Sequence, residues 1–260
     1  YLDNIMIDTH CHLNDNQFDN DLDKVINDFF LSGGGAMICV GADLKSSMNA
    51  KIIADSNDNI YYTIGVHPDD CDKYNESELE DMLLTRSDKL VAIGEIGLDY
   101  FHNKENRAKQ IEVFVSQINL AIKYNLPIVI HCREAYQDVY NILKEYSPLK
   151  IGVVMHCYSG SLEFANQLIK LGVKLSFTGS VTFKNAVKAK EVVKNIPLDT
   201  FFFETDAPYH TPEQNRGKRN EPKNVFDTAK YVASLREMDV EKIIKITDQN
   251  AKKIFNIEFV

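Results

Sequence analysis

Eight short apolar runs, each ending in polar residues, recur along the chain and limit the folds open to it. They are IMIDTH (5–10), AMICVGA (36–42), YYTIGVHP (61–68), LVAIGEIGLD (90–99), PIVIHCR (127–133), GVVMHC (152–157), KLSFTGS (174–180) and FFFETDAP (201–208). Runs of this length, rich in Val, Ile and Phe and without steady apolar/polar alternation, predict strands buried on both faces, hence parallel strands. Between them the apolar spacing turns helical, as in Leu22, Val25, Ile26, Phe29 and Phe30, or Ile111, Phe114, Val115, Ile118, Ala121 and Ile122. Such segments read as crossover helices. Eight strand-plus-helix units in 260 residues predict an α/β fold, a (β/α)8 TIM barrel, with a doubly wound open sheet as the alternative. No linker or boundary interrupts the series, so residues 1–260 are read as a single domain, closed by an extra amphipathic C-terminal helix from Val240 to Phe255.

That architecture gives the polar residues a common address. His10, His12, Glu95, His131, His156, Glu204 and Asp206 fall at the C-terminal ends of the predicted strands, where a parallel barrel assembles its active site. In the first run, Asp8, His10 and His12 alternate, which on a strand places them on one face and turns Cys11 away. One histidine at a strand end is commonly a hydrogen-bonded core residue; four histidines and three carboxylates at one face are poorly explained that way. Converging carboxylates repel unless protonated or bound to cations, and imidazoles mixed with carboxylates suit Zn, Mn, Fe or Mg. The expectation is two divalent ions and metal-assisted hydrolysis, in which one ion acidifies a bridging water and the pair stabilises the attacking and leaving oxygens.

Composition narrows the classes further. No apolar run approaches the ~20 residues of a membrane helix, and the opening residues lack the basic and apolar regions of a signal peptide. The chain reads as cytoplasmic, with a nuclear location also open. Five cysteines without framework spacing point to reduced thiols. Cys11, Cys132 and Cys157 each follow a histidine and read as small buried residues rather than zinc ligands.

The stretches DTHCHL, GVHP, GEIGLDY, PIVIHCREA, MHCYSG, ETDAPY and RGKRNEP stand in the order, and near the spacing, of the TatD family of metal-dependent deoxyribonucleases. The similarity spans nearly the whole chain. It implies a TIM barrel with a dinuclear divalent site (Mg, Mn or Zn) hydrolysing phosphodiesters of DNA, with 3′-to-5′ exonuclease character. Carried over by position, the resemblance implies His10, His12 and Asp206 on one metal, Glu95 bridging, and His131 and His156 on the other. The fourth strand offers Glu95 and no lysine, which favours the nuclease branch over relatives that bridge with a carbamylated lysine. Asp69 and Asp70 depart from the pattern after GVHP, which leaves the role of His67 open.

The remaining residues carry two readings each. Asp8 either orients an imidazole or is a structural acceptor. Glu204 either contacts the nucleophilic water or serves as general base, with Asp206 the preferred base. Arg133, and Arg216, Lys218 and Arg219 in the long loop after strand eight, are the candidate phosphate contacts. Tyr209, Tyr100 and Phe101 are candidates to stack on bases, with core packing an equal reading for Phe101. With 29 Lys and Arg against 38 Asp and Glu, the formal net charge is −9, opposite to the basic footprint of a duplex binder. That favours single strands or strand ends; the oligomeric state is open, with a monomer expected. The rival readings are an ester or amide hydrolase on the same site, for example an aminoacyl-tRNA deacylase, and a metal-binding scaffold without catalysis.

Overall fold

The computed structural model describes residues 5–258; the opening residues 1–4, to which the signal-peptide argument applies, lie outside them. Among the described residues, eight strands run in chain order around one sheet: β1 (Met6–Cys11), β2 (Gly34–Cys39), β3 (Ile60–Ile64), β4 (Leu90–Asp99), β5 (Ile128–Arg133), β6 (Val153–Met155), β7 (Lys174–Phe177) and β8 (Phe201–Phe203). Every neighbouring pair is parallel. A doubly wound sheet would reverse its strand order at a switch point, and this one does not. The last strand meets the first just beyond β8, where the Asp206 amide donates to the His10 carbonyl (2.7 Å) and the His12 amide to the Ala207 carbonyl (2.8 Å). Chain closure and active-site residues therefore share one segment.

Successive side chains of a strand point to opposite faces, and the apolar residues accordingly divide into two cores. Ile7, Ile38, Val40, Val129, Val154 and Phe202 form the inner one. Met37, Cys39, Ile64, Ile130, Met155, Phe201 and Phe203 join helix residues such as Phe29, Phe114, Leu143 and Leu168 in the outer one. Helices α1 (Leu22–Leu31), α2 (Leu44–Asp55), α3 (Glu76–Leu84), α4 (Arg107–Lys123), α5 (Tyr136–Glu145), α6 (Leu162–Lys170), α7 (Val187–Asn195) and α8 (Val225–Leu235) follow β1 to β8 in turn.

The extra helix α9 (Val240–Phe255) starts where the Asp239 carboxylate accepts from the Glu241 amide, and ends at Asn256 in a left-handed conformation (φ 53°). These are ordinary N-cap and C-cap devices. Its Ala251 and Phe255, with Ile257 beyond it, pack into the inner core. The Asp248 carboxylate accepts from the Ile7 amide at the start of β1 (3.1 Å). Helix α9 thus plugs the N-terminal end, the floor, and leaves the opposite end open. No helix among the described residues is long and apolar enough to cross a membrane. Cys11, Cys39, Cys71 and Cys132 are buried, Cys157 is partly exposed, and all five are free thiols.

Candidate metal centre

The open end holds a cavity of about 1340 Å³ lined by His12, His67, Glu95, His131, His156 and Asp206. Glu95 lies at its centre, and its two oxygens face different groups of rings. Oε1 is 3.3 Å from His10 Nε2 and 3.6 Å from His12 Nε2. Oε2 is 3.1 Å from His131 Nδ1, 3.4 Å from His67 Nε2 and 3.7 Å from His156 Nε2. Asp206 Oδ1 closes the first group at 3.1 Å from His12 Nε2 and 3.4 Å from His10 Nε2. Two sets of donor atoms share Glu95, His10 with His12 and His67 with His131, each lying within 4.8 Å of one another.

Three of the rings are locked from behind. His12 Nδ1 donates to the Val40 carbonyl (3.0 Å), His131 Nε2 to Asp99 Oδ2 (2.9 Å) and His156 Nδ1 to Glu204 (2.8 Å to Oε2). Each outer bond fixes which nitrogen carries the proton and aims the other, with its lone pair, inward. His12 Nε2 and Asp206 Oδ1 are then two acceptors 3.1 Å apart, as are His131 Nδ1 and Glu95 Oε2. Only a proton or a cation between them makes such pairs favourable. His67 is built differently. Its Nδ1 accepts from the Asp69 amide (3.0 Å), so the neutral ring carries its proton on Nε2, facing Glu95.

The electrostatics agree. When no cation is bound, protons on the inner ring nitrogens take its place: burial would raise Glu95, yet His156 and His67 beside it, with hydrogen bonds from protonated His10 and His131, hold it well below the usual carboxylate range. Burial would likewise raise Asp206, but His156 and the bonds from protonated His10 and His12 hold it down. Burial opposes charge on His131, and the bonds to Asp99 and Glu95 overcome it and push the ring up to about 10. His10 is raised in the same way by Asp206 and Glu95; its Nδ1 is buried without a hydrogen-bond partner, 3.6 Å from Glu204 Oε2. The donor set, mixed imidazole and carboxylate with outer partners in place, fits divalent ions.

The local chain explains the placement. Gly97, between Glu95 and Asp99, has φ +144°, and a Cβ there would lie 1.9 Å from the His131 carbonyl; only glycine lets β4 approach β5 this closely. Asp8 does not orient an imidazole. Pairing with β2 slips between Asp8 and Cys11, breaking the regular alternation, and Asp8 accepts instead from the Thr205 amide and hydroxyl and the His10 amide. Burial pushes it up to about 7 despite those bonds.

Glu204, considered from sequence for a contact to water, is fully buried and held by His156 and the Cys157 amide (2.6 Å). It stands behind His156 rather than in the cavity. Arg133 and Tyr209 line the cavity, Tyr209 with its hydroxyl donating to Asp15 (2.9 Å). The structure does not bring the strand-eight loop cations there. Arg219 is bound through both terminal nitrogens to Asp21 (2.9 and 2.7 Å), Arg216 stacks on Phe183 (4.0 Å) beside Glu213, and Lys218 is not among the lining residues. Tyr100 is tied to Asp138 (2.6 Å), and Phe101 is exposed under Arg133.

Asp99, which holds His131, and Lys188, which lines the cavity wall, were not singled out from the sequence. Asp99 had a signal, since it shares the strand end and face of Glu95; Lys188, at the start of α7, had none.

A family model described as TatD related DNase matches residues 7–256. Among similar proteins, the uncharacterized metal-dependent hydrolase YabD of Bacillus subtilis is 46% identical over 254 residues, 97% of this chain and 100% of that one. A protein of Escherichia fergusonii named 3′-5′ ssDNA/RNA exonuclease TatD is 30% identical over 260 residues, 98% of this chain and 100% of its own. The crystal structure of YJJV, a TatD homolog from Escherichia coli K12, superposes with a TM-score of 0.93 at 28% identity, covering 98% of this chain and 99% of that one.

Proposed function

The chain belongs to the TatD-related family of metal-dependent hydrolases, and from that premise we propose that it is a deoxyribonuclease. In this reading it hydrolyses phosphodiester bonds at the ends of single-stranded DNA, in the 3′-to-5′ direction, with two divalent ions (Mg, Mn or Zn) per chain. The observation that carries it is the division of Glu95, one oxygen toward His10 and His12 and the other toward His131, His156 and His67. A carboxylate so placed is suited to bridge two ions. The exonuclease name of the Escherichia fergusonii relative and the net charge of −9 support strand ends over long duplexes.

His10, His12 and Asp206 would hold one ion, His131 and His156 the other, with Glu95 between them. Bound there, the ions supply an acidified water and neutralise charge on the attacking and leaving oxygens. The protein's own groups do the rest. Asp99 and Glu204 hold His131 and His156 in the orientation and tautomer described above. Asp206 takes the proton of the attacking water as general base, because it lines the cavity and its Oδ2, 3.4 Å from His210 Nε2, is not the oxygen turned to His10 and His12, while Glu204 is engaged with His156 and Cys157. Arg133 neutralises phosphate from the cavity wall.

Cleavage of 3′-labelled and 5′-labelled single-stranded DNA, with each metal, with EDTA and with Glu95→Ala, tests the proposal. Metal-dependent loss from the 3′ end that vanishes in the variant is expected. DNA left intact with every metal would overturn the nuclease reading and move the substrate to an ester or amide.

A further inference from the structure

Arg133 ends β5, opposite Asp99 of β4. It lies two residues past His131 on the same strand, hence on the same face and ~6.5 Å nearer the mouth at a rise of about 3.3 Å per residue. Its guanidinium carbon sits 3.8 Å from the centre of the Phe101 ring, which is 52% exposed. The other arginine guanidinium groups are all engaged in hydrogen bonds or ion pairs: Arg86 with the Leu83 carbonyl, Arg107 with Asp138, Arg216 with Glu213, Arg219 with Asp21, and Arg236 with the Val193 and Ile196 carbonyls. Among the described residues Arg133 alone has no such partner, and it lines the cavity. A guanidinium stacked on an aromatic face is held flat, with its edge N–H groups available to two phosphate oxygens.

We infer that Arg133, seated on Phe101, is the subsite for the phosphodiester next to the scissile one. The inference rests on the nuclease reading and specifies its substrate class: a strand with a second phosphate one nucleotide from the cut. Arg133 acts on binding, with Phe101 as its platform and as a stacking face for the neighbouring base. An isolated carboxylic ester or a lone phosphodiester has nothing to place there.

Steady-state kinetics on short single-stranded oligonucleotides and on bis(p-nitrophenyl) phosphate test it, using the metal-loaded wild type, Arg133→Ala, Arg133→Lys and Phe101→Ala. Arg133→Ala is expected to lower kcat/KM for oligonucleotides roughly 10- to 100-fold more than for the small diester, the range of a charge-assisted hydrogen bond, with the change in KM. Arg133→Lys should recover part of the loss and Phe101→Ala cause a smaller one. A neutral methylphosphonate at the adjacent linkage should weaken the wild type and leave Arg133→Ala indifferent, as coupled partners require. Equal losses on both substrates, or a methylphosphonate effect undiminished in Arg133→Ala, would overturn the subsite while leaving the nuclease reading standing. A wild type that cleaves neither diester would overturn both.

Discussion

Glu95 and Asp206 at the mouth and Asp248 at the floor are buried alike, at 4%, 7% and 4% exposure, yet their carboxyl groups behave oppositely. Burial pushes Asp248 well above the usual range, since among the described residues its one hydrogen-bond donor is the Ile7 amide and Lys252 lowers it only in part. At the mouth the same burial is outweighed by the surrounding imidazoles, which hold Glu95 and Asp206 well below it. Burial disfavours charge everywhere; neighbouring positive groups decide the outcome. The mouth is arranged for cations and the floor for apolar closure, so substitutions at the two ends should separate activity from stability.

The largest stability effect belongs to the floor. Phe255→Ala should destabilise the fold by roughly 3–5 kcal/mol, the usual cost of removing a buried phenylalanine, while the folded fraction keeps its turnover; denaturant unfolding with activity corrected for folded protein checks this. A comparable loss of turnover per folded molecule would tie the ends together.

At the mouth the reverse is expected. Asp99→Ala frees the outer nitrogen of His131 and should weaken metal affinity or activity about 10- to 100-fold, with a smaller fall in the unfolding midpoint than Phe255→Ala, because Asp99 Oδ1 also accepts from the Phe101 and His102 amides. Metal titration beside thermal unfolding reads both quantities.

Acid sharpens the comparison. His131 pushed up to about 10, and His10 raised with it, mean that cations displace protons from the mouth. Affinity should climb with pH up to about pH 10, where His131 loses its second proton, with proton release on binding; a pH-independent affinity would be inconsistent with these histidines as ligands.

The smallest effect is at Asp248. The unfolded chain releases this proton near 3.8, while the folded state retains it to a much higher pH. Between the two, rising pH erodes stability, because the unfolded state binds fewer protons. Asp248→Asn lacks that dependence, so its melting temperature relative to wild type should rise with pH from about pH 4 upward. A constant difference would show that Asp248 is already ionised in the fold.

The mouth was legible where it depends on strand periodicity. Each apolar run ends near a barrel rim, and that rule alone collects His10, His12, Glu95, His131, His156 and Asp206. It fails where side chains pair across the fold. Arg219 looked like a phosphate contact in its loop, but Asp21, 198 residues away, takes its guanidinium. Glu204 and Asp206 look equivalent in ETDAP, yet the backbone beyond β8 turns one toward His156 and the other toward His12. The chain carries no local mark of either choice. Helix α9 was legible from its amphipathic spacing, whereas its use as a plug depends on where Phe255 meets Phe202, 5.9 Å between ring centres.

The most direct test of the central claim is the metal content of the purified protein, reconstituted with Mn or Zn and counted by mass spectrometry, beside Glu95→Ala. The account predicts two ions per chain in the wild type and a clear loss in the variant, with the fold intact by circular dichroism. A wild type that binds no ion, or a variant that binds as many, would contradict it.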